Sequence, residues 1–199
     1  MAKTKFASPD RTNAQEIQVQ AQLIEKKFSV NEILDTVPQI LMILNRDRQM
    51  VYANEQFMKF LGEDAIENLT GKRPGEILNC IHADETDGGC GTTEFCQECG
   101  AVNAILDAQK GFPSMRECRI LTHTHAALDL RVWARPIIFG EEEFTLFTVA
   151  DIADEKRREA LERTFFHDIL NTAGVILGAS SLMEDDQDDQ DKDGNTELN

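Results

Sequence analysis

Apolar positions recur along this chain in two rhythms, and each rhythm predicts a different kind of element. Ile17, Ala21, Ile24 and Phe28 fall at helical spacing behind the start signals Ser8-Pro9 and Asn13-x-x-Glu16, which predicts an N-terminal helix. Ser29-x-x-Glu32 offers a second capping box before Ile33 and Leu34, and Pro38 stops that helix. The run Gln39 to Leu44 is short, apolar and rich in branched residues, as a buried strand is. Asn45 to Gln49 then make a hairpin turn and Met50 to Ala53 the returning strand. Behind Asn54, the residues Phe57, Phe60 and Leu61 suit a short helix closed by Gly62, and Leu69 to Gly75 punctuate the next turns. Ala101 to Gln109 reads as a helix capped by Gly111. Alternation returns in Arg116 to Thr122, in Leu128, Leu130, Val132 and Ala134, and in Phe144, Leu146 and Thr148 before Asp151-Ile152. From Asp154 the chain is charged and helical through Met183. Two strands, short helices, three further strands and a long helix make an α+β plan.

Composition sharpens this plan without changing it. With 199 residues, 41% hydrophobic and 28% charged, one core with helical material outside it is expected. No apolar run is long enough to span a bilayer and the first residues lack a secretory signal, so the expected location is cytoplasmic, with no membrane partner. A formal charge of −16 argues against nucleic acid as a direct partner. Much of that charge sits in residues 184–199, a self-repelling stretch expected to be a disordered tail or a loop.

The densest chemistry lies between Asn79 and Gly100, where Cys80-x9-Cys90-x5-Cys96-x2-Cys99 is set among Gly88, Gly89, Gly91 and Gly100. A terminal CxxC places two thiolates on one tight turn, and in a reducing compartment clustered cysteines are metal ligands or redox thiols more often than disulfides. Irregular spacing and abundant glycine lean toward an iron–sulfur cluster, while an all-thiolate set equally suits structural zinc. His82 is a further candidate ligand, weighed against a plain surface histidine. Cys118, in a strand beside Ile120, reads as a buried core thiol, and His123 and His125 as solvated turn residues. Trp133 belongs on the opposite sheet face from Val132 and Ala134. A thiol oxidoreductase using Cys96 and Cys99 is a weaker reading, because no βαβ pattern surrounds the pair.

Three stretches carry a family resemblance: the opening ILDTVPQILMILNRDRQMVYANEQF, the turn LTGKRPGEIL and the closing TVADIADEKRREALE. Residues 33–152 resemble a PAS domain, which implies an antiparallel sheet with short helices that senses small molecules, redox state or light. The division expected is an N-terminal helical segment 1–32, the domain 33–152 with its cysteine insertion at 79–100, a signalling helix 153–183 and the acidic stretch.

Phe165-Phe-His-Asp-Ile-Leu-Asn-Thr172 is similar to the phosphoacceptor box of two-component sensor histidine kinases. Phe165, Ile169, Thr172, Ile176, Ala179 and Met183 describe a dimerisation seam, whereas His167, Asn171, Gly174 and Gly178 line another face. The resemblance implies His167 as phosphoacceptor, Asp168 as its orienting carboxylate and Asn171 as a water-positioning group in the reverse hydrolysis. It departs from the common pattern in having no Pro in the box. The partners implied are a second copy of the chain, a response regulator receiver domain and a histidine-kinase ATPase domain. No nucleotide-binding motif occurs in this sequence, so ATP is expected only through that other domain, and the chain alone is not expected to autophosphorylate. A noncatalytic PAS dimerisation or scaffold module with a structural zinc is the alternative.

Overall fold

The computed structural model describes residues 4–27, 34, 37–62 and 69–193. The chain divides into two units, Met1–Ala153 and Asp154–Asn199. In the first, helix α1 (Ala14–Lys27) precedes strands β1 (Ile40–Leu44) and β2 (Met50–Ala53). Helices α2 (Glu55–Leu61), α3 (Pro74–Ile77) and α4 (Gly100–Gln109) follow, and strands β3 (Ser114–Leu121), β4 (Ala127–Phe139) and β5 (Glu142–Asp151) complete an antiparallel sheet of order β2-β1-β5-β4-β3. Helix α5 (Ala153–Asp193) makes up nearly all of what is described in the second unit.

Local chemistry explains most of these boundaries. Asn13 caps α1 by accepting the Glu16 N–H at 2.9 Å, while its side-chain amide reaches back to the Glu16 carboxylate. The Ser8-Pro9 signal does not start a helix; it lies in an extended arm ahead of α1. Asn54 accepts the Phe57 N–H at the start of α2, and Gly62 ends that helix at φ 68, where a side chain would be strained. The capping box proposed at Ser29 and Glu32 lies outside the described residues. At the other end, Asp151 accepts the Ala153 N–H at 2.8 Å and so caps the entry to α5.

Alternation decides which side of the sheet each residue serves. Leu130, Val132 and Ala134 of β4 join Phe147 and Val149 of β5 and Met42 and Leu44 of β1 on one face, covered by Ala101, Ala104, Ile105 and Ala108 of α4. Leu41 and Ile43 point the other way, where Ile17 and Ile24 of α1 meet Val51, Tyr52 and Phe144. Trp133 is half-buried between buried neighbours, as the alternation requires. Helix α5 runs ten residues past Met183 and takes in part of the acidic stretch. Elongation adds one backbone bond for each residue fixed, so a helix already nucleated can continue into a sequence unable to start one.

Candidate functional site

A cavity of about 350 Å³ opens between the buried face of the sheet and the segment from Arg73 to Ala101. Cys80, Cys90, Cys96 and Cys99 all contribute to its wall, and Cys118 of β3 adds a fifth sulfur. All five are free thiols. The sheet supplies Leu130, Val132, Phe147 and Val149, so the cysteine insertion lies directly over the core cavity of the domain.

Three separate local devices place the four thiols. Cys80 is held to the strand edge by a bridge to Thr122 and by its N–H, which donates to Gly75 O at 2.8 Å. Gly75 has no side chain because none fits: a Cβ there would stand 2.7 Å from Cys90 Sγ and 3.5 Å from Cys80 Cβ. Cys90 donates its N–H to the Glu76 carboxylate at 3.2 Å. Cys96 and Cys99 sit on one tight turn, closed by the Cys99 N–H to Cys96 O at 3.2 Å, and Cys99 leads directly into α4. Thr93 Oγ1 lies 3.2 Å from Cys96 Sγ.

Burial governs the charge state of these sulfurs. It pushes the Cys90 thiol up to about 12, aided by the charge of Cys99, against the backbone N–H of Gly75. Burial also raises Cys80 and Cys99, opposed at Cys80 by the N–H groups of His82 and Ala83 and at Cys99 by those of Val102 and Ala101. Without a metal these three sulfurs are protonated at neutral pH, so loading a metal centre there must release protons. Among the described residues, no three His, Cys, Asp or Glu side chains converge on a point that would hold a single ion. The thiols are spread around the cavity wall, and as a set of soft sulfur donors they would suit an iron–sulfur cluster or zinc.

The histidines stand at the margin. His82 stacks on Phe95 with ring centroids 4.4 Å apart, and its Nδ1 lies 2.6 Å from a Glu85 carboxylate oxygen. Both rings border the cavity. His123 and His125 are exposed at the β3–β4 turn, where His123 Nε2 lies 3.1 Å from Asp84. Cys118 is buried in the main core, as its strand pattern predicts.

Sequence reading missed what lies behind the thiols. Residues 4–11 form an arm along the insertion: Lys5 N–H donates to Thr92 O at 2.8 Å and Ala7 N–H to Gly91 O at 2.9 Å. Phe6 and Ala7 pack with Cys96 and Val102. Two buried arginines stitch the arm to the rest. Arg73 is fully buried and donates to the carbonyls of Asp47, Gly88, Cys90 and Asp10 at 3.0, 2.7, 3.2 and 2.5 Å. Arg48, 4% exposed, donates to Ser8 O at 2.6 Å. Neither had a local cue, since both stand in polar turns that read as solvated.

Glu76 ties this arrangement together. It pairs with Arg11, accepts the N–H of Arg73 at 3.0 Å and accepts that of Cys90. Burial pushes its carboxyl up, but the Arg11 hydrogen bond, the Arg73 N–H, the Arg11 charge and the Cys90 N–H outweigh that and hold it below the ordinary 4.5. The stability this supplies is fully present above the ordinary value and is lost as pH falls through the depressed one. Glu76→Gln should therefore destabilise the protein by about 1–3 kcal/mol at pH 7. Urea unfolding followed from pH 7 to pH 3 should show the gap to wild type closing as the wild-type carboxylate protonates.

In the second unit, His167 is exposed and its neighbours lie in register along α5. Asn171 Nδ2 stands 3.1 Å from His167 Nδ1, and Asp168 Oδ1 lies 3.5 Å from the same nitrogen. Phe165, Ile169 and Ile176 are exposed apolar residues on the seam read from the sequence, and Phe166, Leu170 and Leu177 widen it.

Comparison with known proteins bears on the first unit. Residues 30–97 match the family model of a PAS domain, and no curated protein matches the chain. Among solved structures it is similar to the PAS domain of nitrogen regulation protein NR(II) from Vibrio parahaemolyticus, at 15% identity over 61% of this chain and 96% of that one, TM-score 0.45. It is also similar to a PAS domain from a two-component sensor histidine kinase, at 12% identity over 65% and 98%, TM-score 0.44. The PAS domain of Bordetella pertussis BvgS gives 14% identity over 72% and 96%, TM-score 0.41. The matched segment includes both strands of the first hairpin and three of the four clustered cysteines, and the antiparallel order β2-β1-β5-β4-β3 completes a PAS-like fold.

Proposed function

We propose that the chain is the sensing and phosphoacceptor part of a two-component sensor histidine kinase. Its input is redox state or metal availability, read by an iron–sulfur cluster on Cys80, Cys90, Cys96 and Cys99, and its output passes through His167 to a response regulator. The observation that carries this reading is that all four thiols, from three separate local structures, line the one cavity under the sheet. When bound, the cluster supplies one-electron redox chemistry and sensitivity to oxidants. The chain itself supplies the thiolates, a largely apolar sheet wall and a covalent route outward. Helix α4 begins at the residue after Cys99 and packs on β3 and β4. Strand β4 pairs with β5 along its length, and β5 ends at the Asp151 cap of α5. A change in the insertion would reach that junction through backbone hydrogen bonds, and two copies of α5 would turn it into a change of access to His167.

The test is chemical. Anaerobically purified protein is expected to be brown and to contain iron with acid-labile sulfide. The variant with all four cysteines replaced by serine should be colourless, with sulfide at background. Zinc without sulfide in the wild-type protein would remove the cluster and leave a structural staple in its place.

A further inference from the structure

A cavity walled by four thiols acquires a large negative charge once those thiols ionise, and two of the groups behind it are buried cations. Arg73 is wholly enclosed, and the hydrogen bonds of its guanidinium among the described residues all go to backbone carbonyls. Arg48 Nε lies against Gly91, where a Cβ would come within 3.3 Å of it, and its described hydrogen bond also goes to a carbonyl. Both line the cavity beside Cys90. Asp47 and Glu76 lend them some negative charge, but Asp47 also accepts from Thr12 Oγ1 at 2.6 Å and Glu76 pairs with Arg11. Carbonyl dipoles satisfy the N–H groups without cancelling the charge, so three cations, Arg11, Arg48 and Arg73, stand here against the two carboxylates Asp47 and Glu76. Burial indeed lowers Arg73 to about 10, with the nearby charges of Arg48 and Arg11 acting the same way.

We propose that Arg48 and Arg73 are the built-in counter-charge of the thiolate centre, positioning residues that favour a Cys-ligated iron–sulfur dianion and set its reduction potential. This inference rests on the cluster reading above. Four thiolates around an oxidised core leave a dianion, and one electron from an external reductant makes it a trianion with no bond broken and no proton required. Two fixed cations stabilise the trianion more than the dianion, and because both side chains are buried their effect is weakly screened. Arg119 also borders the cavity, but its side chain is 71% exposed, so water screens its charge.

Anaerobic titration with dithionite, followed by the visible absorption of the cluster, tests the proposal on the full chain. Arg48→Gln should shift the potential to a more negative value, Arg48→Lys should stay near wild type, and Arg119→Gln should not shift it. If Arg48→Gln fails to hold a cluster while Arg48→Lys loads fully, the need for a charge is shown in another way. Equal potentials in wild type and Arg48→Gln overturn the proposal. So does an equal shift in Arg119→Gln, or failure of both Arg48 variants to load, which would make the guanidinium a structural brace. Wild-type protein without iron and sulfide sinks the cluster reading itself, and that result is separate from any outcome among the variants.

Discussion

His167→Gln is expected to reduce acid-labile phosphoryl label on this chain to background when a cognate kinase domain and ATP are supplied. Phosphoryl transfer of this kind forms a bond from a ring nitrogen to the γ-phosphorus and breaks the bond to ADP, while the ring proton passes to a base. Both neighbours approach Nδ1: Asn171 Nδ2 at 3.1 Å and the Asp168 carboxylate at 3.5 Å. Asn171 Nδ2 also lies 3.4 Å from Nε2, on a ring open to solvent, so Asp168, which approaches Nδ1 alone, is the group placed to hold the tautomer and take up charge. Asp168→Asn keeps the shape and removes the carboxylate, and should lower the labelling rate by about a hundredfold, the usual scale of a lost general base. Asn171→Ala should leave the label in place, because a water-positioning group matters for hydrolysis of a phosphorylated partner and not for the forward step. Alkali-stable, acid-labile label that persists in His167→Gln would place the phosphoacceptor elsewhere.

Gly100→Ala should have the largest effect on stability. Alanine in a helix is ordinarily the better residue by about 1 kcal/mol. At Gly100, however, the added Cβ would stand 2.0 Å from the Glu117 carbonyl oxygen and 2.8 Å from its carbon. Both are backbone atoms of β3, which is locked to β4 from Ser114↔Ala134 to Leu121↔Ala127. No side chain can swing aside, so α4 must lift from the sheet. A cost above about 3 kcal/mol is expected, at the upper end of overpacking penalties. Gly174→Ala is the natural control, since a Cβ there meets nothing within 4 Å and the helix gains. Urea midpoints for the two variants should move in opposite directions, the first far down and the second slightly up.

The sheet was legible because its information is local. A strand with one buried face must alternate, and β3, β4 and β5 do; the hairpin of β1 and β2 turns where Asn45 to Gln49 interrupt two apolar runs. Asn54 and Gly62 mark α2 by chemistry that operates within four residues. Cys118 and Trp133 could be assigned to opposite faces by counting alone. The cysteine quartet was visible as spacing, but that it faces the sheet cavity depends on how the insertion folds back, which no periodicity records. The arm and its arginines were hidden for the same reason. Arg73 between Lys72 and Pro74, and Arg48 between Asp47 and Gln49, look like solvated turn residues. Their burial follows from carbonyls that come together only once residues 8–10 and 88–90 meet.

The arm also has a consequence in time. Thr4 Oγ1 donates to Thr92 O across 88 positions of sequence, at 3.4 Å, and the neighbouring backbone bonds to Gly91 and Thr92 span almost as far. A ribosome delivers residues 4–10 well before their partners at 88–92. The loop to be closed is long, and its entropy must be met before any of these bonds forms. The arm must therefore stay undocked until residues 91 and 92 have emerged. Docking of the arm thus reports that the loop at residues 91 and 92 is already in place, which gives this part of the fold a fixed order of assembly.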